Sequence, residues 1–217
     1  MRLRDRNNPP RTPSHDEVDE YLKRWNSNDY DPKKGVGNYY DQEVAISKLF
    51  KQYPNNTEHW QILLKVTVLN TFYSTSIYDV NAVARHIGQI RDIDSRLING
   101  DENLVEEIQQ VTVGRGNNET ERSFYSFATK YCSHHNPKAF PIYDSFVDEI
   151  LWFFSGRDRR NKSNDRFTTF NTRRSLKEYR TFKKAVREFQ QRYKLTKYSF
   201  KQLDAYMWLL GKETFVR

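Results

Sequence analysis

Cations are the residues whose types and spacing speak first. Between Ser155 and Lys201 there are 16 Lys or Arg against 4 Asp or Glu, a local balance of +12 in a chain whose total is +8. The remainder therefore carries −4. Clustered cations of this kind release counterions from a polyphosphate, which scattered ones do poorly. The densest part, GRDRRNKSNDRFTTFNTRR, holds seven cations among Asn, Ser and Thr and few apolar residues. It offers Arg157, Arg159, Arg160, Lys162, Arg173 and Arg174 as phosphate contacts, whereas Ser175 to Lys194 reads equally as the solvated face of ordinary helices. A second phosphate site is expected at Gly114-Arg115-Gly116, where backbone N–H groups of a glycine turn opening a helix can approach an anion closely, with Arg122 beyond it. Asp144, ahead of Ser145-Phe146-Val147, is placed as a helix N-cap. The partner these charges imply is a nucleic acid; an acidic protein or a membrane surface is the alternative.

The elements that must position these groups read as helices. Residues 1–13, polar with three prolines, form a mobile arm. Ser14 caps a helix running through Trp25. Further helices are expected from Tyr40 to Tyr53, from Thr57 into NTFYSTS (70–76), and from Asp79 with Val80, Val83, Ala84, Ile87 and Ile90 at helical spacing. The helix after Thr57 is apolar nearly all round and so central, with a strand from Lys65 to Leu69 as its rival reading. Asp101 caps a helix bearing Leu104, Val105, Ile108 and Val111. A long helix follows from Glu119 to His135, then one opening at Asp144, then helices over Leu176–Tyr193 and Ser199–Gly211, the last with Gly211 as its C-cap. The fold class is all-α, in a single domain over residues 14–217.

Composition removes several classes. With 15% aromatic residues the chain is not of disordered type, and with one cysteine, Cys132, it can hold neither an internal disulfide framework nor a cysteine-ligated zinc or iron–sulfur site. No apolar run reaches the roughly 20 residues of a membrane span, and no signal peptide precedes the arm, so a cytoplasmic protein is expected. His134 and His135 are adjacent on a helix and diverge, with no partner cluster, so no metal is expected.

Helix, glycine hairpin, helix, short loop and an Asp opening the next helix, carried by LVEEIQQVTVGRGNNETERSFYSFATKYC (104–132) and FPIYDSFV (140–147), resemble the helix-hairpin-helix DNA glycosylases. The resemblance covers Glu58 to Trp152. It implies a glycosylase-like helical bundle with a core over 57–154, a hairpin at 112–118, and basic C-terminal helices (155–217) packing back. It further implies double-stranded DNA as partner, no cofactor, and Asp144 stabilising the positive charge that develops on the sugar as a flipped base leaves. The helix ending in NTFYSTS would supply pocket or wedge residues, Asn70, Phe72 and Tyr73, with Tyr125 and Tyr143 available for stacking. The family's nucleophilic lysine has no counterpart at Glu119-Thr120-Glu121-Arg122, and arginine stays protonated. Lys130, 14 residues before Asp144, is the remaining amine, so a monofunctional enzyme is expected over a lyase. The alternatives are a non-catalytic DNA-binding module on the same scaffold and a helical protein meeting an acidic protein partner.

Overall fold

The computed structural model describes residues 1–5, 9–26, 39–114, 116–158 and 166–216. The chain divides into two compact units, one made of Met1–Ser27 with Pro141–Arg217, the other of Asn28–Phe140. The single domain expected from the sequence, with its core drawn to residue 154, is thus replaced by a division at Phe140/Pro141. The apolar helix that follows Pro141 finds its packing partners among the C-terminal helices.

In the first unit, α1 (His15–Trp25) packs on α10 (Phe200–Thr214), α10 on α8 (Ser145–Phe154), and α8 on α9 (Tyr179–Arg192). The starts of these helices follow from their caps. Ser14 Oγ accepts from Glu17 N at 3.3 Å, Asp144 Oδ1 from Phe146 N at 2.9 Å, and Ser199 forms a reciprocal capping box with Gln202. α8 is buried nearly all round through Phe146, Val147, Ile150, Leu151, Phe153 and Phe154. Gly211 corrects the expected C-cap: it lies inside α10, where an added Cβ would sit 2.7 Å from Phe146 Cβ and 3.0 Å from its carbonyl oxygen. The glycine lets α10 approach α8. The expected mobile arm is also corrected over its first residues. Strand β1 (Arg2–Leu3) pairs antiparallel with β4 (Phe215–Val216), and Arg4 N donates to Thr214 O at 2.8 Å. Backbone groups of the two chain ends satisfy one another.

In the second unit, α3 (His59–Tyr73) is central, contacting α2 (Tyr39–Gln52), α4 (Val80–Gln89) and α7 (Tyr125–His135). Residues 65–69 are helical, not a strand. Asp79 caps α4 through Ala82 N at 2.8 Å. A short helix the sequence reading lacks, α5 (Ile93–Asn99), precedes α6 (Asn103–Gln109). The largest correction falls between α6 and α7. Helix is expected through Val111 and again from Glu119, but α6 ends at Gln109. Strands β2 (Gln110–Val113) and β3 (Thr120–Ser123) form an antiparallel hairpin in the register Gln110↔Ser123, Val113↔Thr120. The β-branched run Val111-Thr112-Val113 favours extended backbone, and the ladder gives its N–H and C=O groups partners that helix would otherwise supply. Gly114, at φ +103°, makes the turn, where a Cβ would lie 2.4 Å from Asn118 O. The described residues are mostly helical, with short strands only.

Candidate nucleic-acid interface

The hairpin does not supply the phosphate cradle expected of it. Gly114 and Gly116 belong to the β-hairpin connection, and α7 begins only at Tyr125, behind Phe124 as its N-cap. The helix N-terminus that would have joined the glycine turn is therefore several residues away from it. Arg122 is exposed on β3, and Arg115 lies outside the described residues, as do Arg159, Arg160 and Lys162.

The aromatic and amide groups expected to grip a base are engaged in the fold. Tyr125 and Tyr143 are buried, the latter edge-on to Phe182 at 5.3 Å. Burial, reinforced by Asp148, pushes the Tyr143 phenol well above its ordinary range. Asn70 closes the turn after α3: its Nδ2 donates to Ile77 O at 2.8 Å, and its Oδ1 accepts from Ile77 N at 3.0 Å and Thr75 Oγ1 at 2.9 Å. Phe72 is half-buried, and Tyr73 Oη lies 2.9 Å from His134 Nε2. Lys130, 2% exposed, donates to Ser126 Oγ at 2.6 Å with its ammonium 5.2 Å from the Tyr73 ring centre. Lys130 and the hairpin belong to one unit and Asp144 to the other.

Two of the candidate arginines also have structural partners. Arg157 donates to the carbonyls of Phe167 and Phe170, both at 2.8 Å, and to Asn171 Oδ1 at 2.9 Å, fastening the loop beneath it. Arg173 pairs with Asp148 and Glu149, each carboxylate 2.5 Å from Nη2. Both acids are buried on α8, and burial raises the Asp148 pKa against the opposing pull of Arg173. Removing Arg173 would leave two adjacent carboxylates unpaired in the interior.

What stays in water is a row of cations that the sequence reading had set aside as an ordinary solvated face. Arg174, Lys177, Arg180, Lys184 and Arg187 are all exposed. The first two are three residues apart in the 3-10 turn Arg173–Lys177, where such positions eclipse. The last three follow the four-then-three spacing of one face of α9, whose opposite face buries Phe182, Ala185, Val186 and Phe189. From Arg180 to Lys184 to Arg187 the row climbs about 10 Å at the helical rise. Of the nearby acids, Glu188 is turned inward, accepting from Thr168 N at 2.7 Å and Thr169 N at 3.0 Å. Glu178 accepts from Thr181 Oγ1 at 2.9 Å. The hydrophobic spacing of α9 was the signal that could have placed these cations on one line.

A second group missed at the sequence level is Lys65, fully buried in α3. Its ammonium donates to Tyr53 O at 3.2 Å, Asn55 O at 2.9 Å, Asn56 Oδ1 at 2.7 Å and His135 Nε2 at 3.4 Å. Burial brings the Lys65 pKa down to about 8, with Asp94 pulling the other way. His135 is brought down to about 3 by burial and by Lys65. Asp94 accepts from Asn56 N at 3.0 Å and Asn56 Nδ2 at 2.6 Å, and Tyr131 Oη donates to Asn56 Oδ1. The cluster pins the loop between α2 and α3. A lysine within an apolar helix was its only sequence signal. No group of His, Cys, Asp and Glu suited to a metal occurs among the described residues, and no described helix is long and apolar enough to cross a membrane.

A family model described as an N-terminal domain, HI_0787_N, matches residues 17–139. A protein of Haemophilus influenzae described as uncharacterized is 47% identical over 154 residues, which cover 71% of this chain and 68% of its own. No solved structure matches the chain.

Proposed function

We propose, for a chain that belongs to the HI_0787_N family, that it binds the phosphate backbone of a nucleic acid through the exposed cations of α9 and the turn before it. The observation that carries this reading is the alignment of Arg174, Lys177, Arg180, Lys184 and Arg187 on one solvent-facing line. Cations in register along a rigid helix can meet successive phosphates together, and the cost of arranging them is met by folding. Such contacts position a backbone and carry no sequence information. The test is fluorescence anisotropy with a labelled duplex. The fourfold variant Lys177→Ser, Arg180→Ser, Lys184→Ser, Arg187→Ser is expected to bind roughly tenfold or more weakly at moderate salt, on all sequences alike. Unchanged affinity would remove α9 from the interface.

Base excision on the bound strand is the finer reading, favoured by one feature: Asp144 stands partly exposed at the head of α8. Its Oδ1 already caps Phe146 N. Asn serves as well as Asp in that role, so Asp144→Asn keeps the helix and removes the charge. An excision activity found with the parent on duplexes carrying modified bases should drop by about two orders of magnitude in this variant. Equal excision by both proteins would leave Asp144 as a cap alone.

A further inference from the structure

Trp60, the second residue of α3, is 53% exposed, and Leu64 one turn on is 39% exposed. The inward side of α3 is already formed by Ile62, Val66 and Leu69, so this pair faces water without a role in the core. The Trp60 ring meets Tyr53 edge to face, with centroids 5.2 Å apart and planes at 77°. An edge-to-face contact occupies one face of one ring and leaves the other faces open. Tyr53 in turn lines a shallow groove with Ala45, Lys48, Leu49, Lys51 and Gln52. From Val44 to Thr57 the chain contains no Asp or Glu, so Lys48 and Lys51, both exposed, set the sign of the local potential. The platform is held in place from below, since buried Lys65 binds the carbonyls of Tyr53 and Asn55.

We infer that this Tyr53–Trp60 face is a stacking site for an unpaired base of a single-stranded nucleic acid, with Lys48 and Lys51 taking the adjoining phosphates. A flat aromatic face next to cations is the general chemistry of sequence-tolerant single-strand binding, because every base has a π face. A protein partner would need about 800 Å² on this side, and two exposed large apolar side chains fall far short of that. The site lies in the unit opposite to α9 and recognises a different state of the strand, so it stands without the α9 reading.

The experiment titrates the whole chain with a short oligothymidylate, which does not self-pair, while following tryptophan emission. The parent is expected to be quenched. Trp60→Leu should lose the quench and bind about 5- to 150-fold more weakly, the range that one stacked base confers. Lys48→Ser with Lys51→Ser should keep the quench at saturation but lose salt sensitivity. The fourfold α9 variant should keep the quench at saturation, so a failure of the α9 interface leaves this result standing. Inorganic polyphosphate, which has no base, should not quench. Four tryptophans are present, Trp25, Trp60, Trp152 and Trp208. A quench that survives Trp60→Leu comes from the other three and overturns the proposal, as does equal quenching by polyphosphate. A dimer in sedimentation that disappears in Trp60→Leu would also overturn it, by making the face a contact between copies.

Discussion

One unit of this molecule draws a lysine into its interior, and the other holds a row of cations in water. Lys65 has no exposed surface, and four acceptors surround its ammonium. Lys184 and its neighbours on α9 project from a helix whose other face is packed with phenylalanine. The interior charge is costly to bury and is tolerated because every donor finds an acceptor. The exposed charges cost little and contribute little to stability, and so remain available to a ligand. The lesson is that overall charge says less than where each cation finds its partner. Arg157 and Arg173, in the most basic stretch of the chain, spend their guanidiniums on carbonyls and carboxylates of the fold.

The sharpest way to break this contrast is to delete one charge from each region. Lys65→Ala leaves buried acceptors without a donor and should cost about 3–5 kcal/mol in urea unfolding. Lys184→Ala should stay within about 0.5 kcal/mol of the parent. Comparable losses from the two would erase the distinction between them.

Acid should separate the regions next. His135 is held neutral, its pKa at about 3 against an ordinary 6.5. Between those values the unfolded chain binds the proton that the folded chain refuses, so stability present above pH 6.5 is lost as pH falls toward 3. Lys65 adds the same sign at the alkaline end, where stability rises from about pH 8 to 10.5. The expected loss on acidification is at most about 1.4 kcal/mol per pH unit for His135. His135→Gln, which keeps an acceptor for Lys65, should flatten the acid limb. An unaltered limb would assign the acid sensitivity to other groups. A smaller effect, of about 1–3 kcal/mol, is expected from Gly211→Ala in the first unit, where the added methyl meets Phe146. A neutral substitution would mean that α8 and α10 can separate without cost.

Much of the helical framework was legible. Ser14, Asp79, Asp144 and Ser199 are caps in sequence and in structure, because a cap depends on the few residues that follow it. The hairpin was not. Val111 continues the spacing of Leu104, Val105 and Ile108, and so short a segment satisfies the helical and the strand period together. Only pairing with Thr120–Ser123 decides between them. The sites failed for a related reason. Arg173 reads as a free cation until Asp148 and Glu149, more than twenty residues earlier, are brought beside it. The burial of Tyr125 and Tyr143 likewise depends on how helices pack. The α9 row needed only the orientation of a single helix, which its phenylalanines already imply.

The account rests on exposed, aligned cations meeting successive phosphates, and the salt dependence of duplex affinity reads that number directly. Log affinity falls against log salt with a slope of about −0.9 for each phosphate contacted on a duplex. The parent should show a steep slope. The fourfold variant Lys177→Ser, Arg180→Ser, Lys184→Ser, Arg187→Ser should be shallower by about 3 to 4, while its unfolding curve stays with that of the parent. A slope identical in parent and variant, with both proteins folded, would contradict the account.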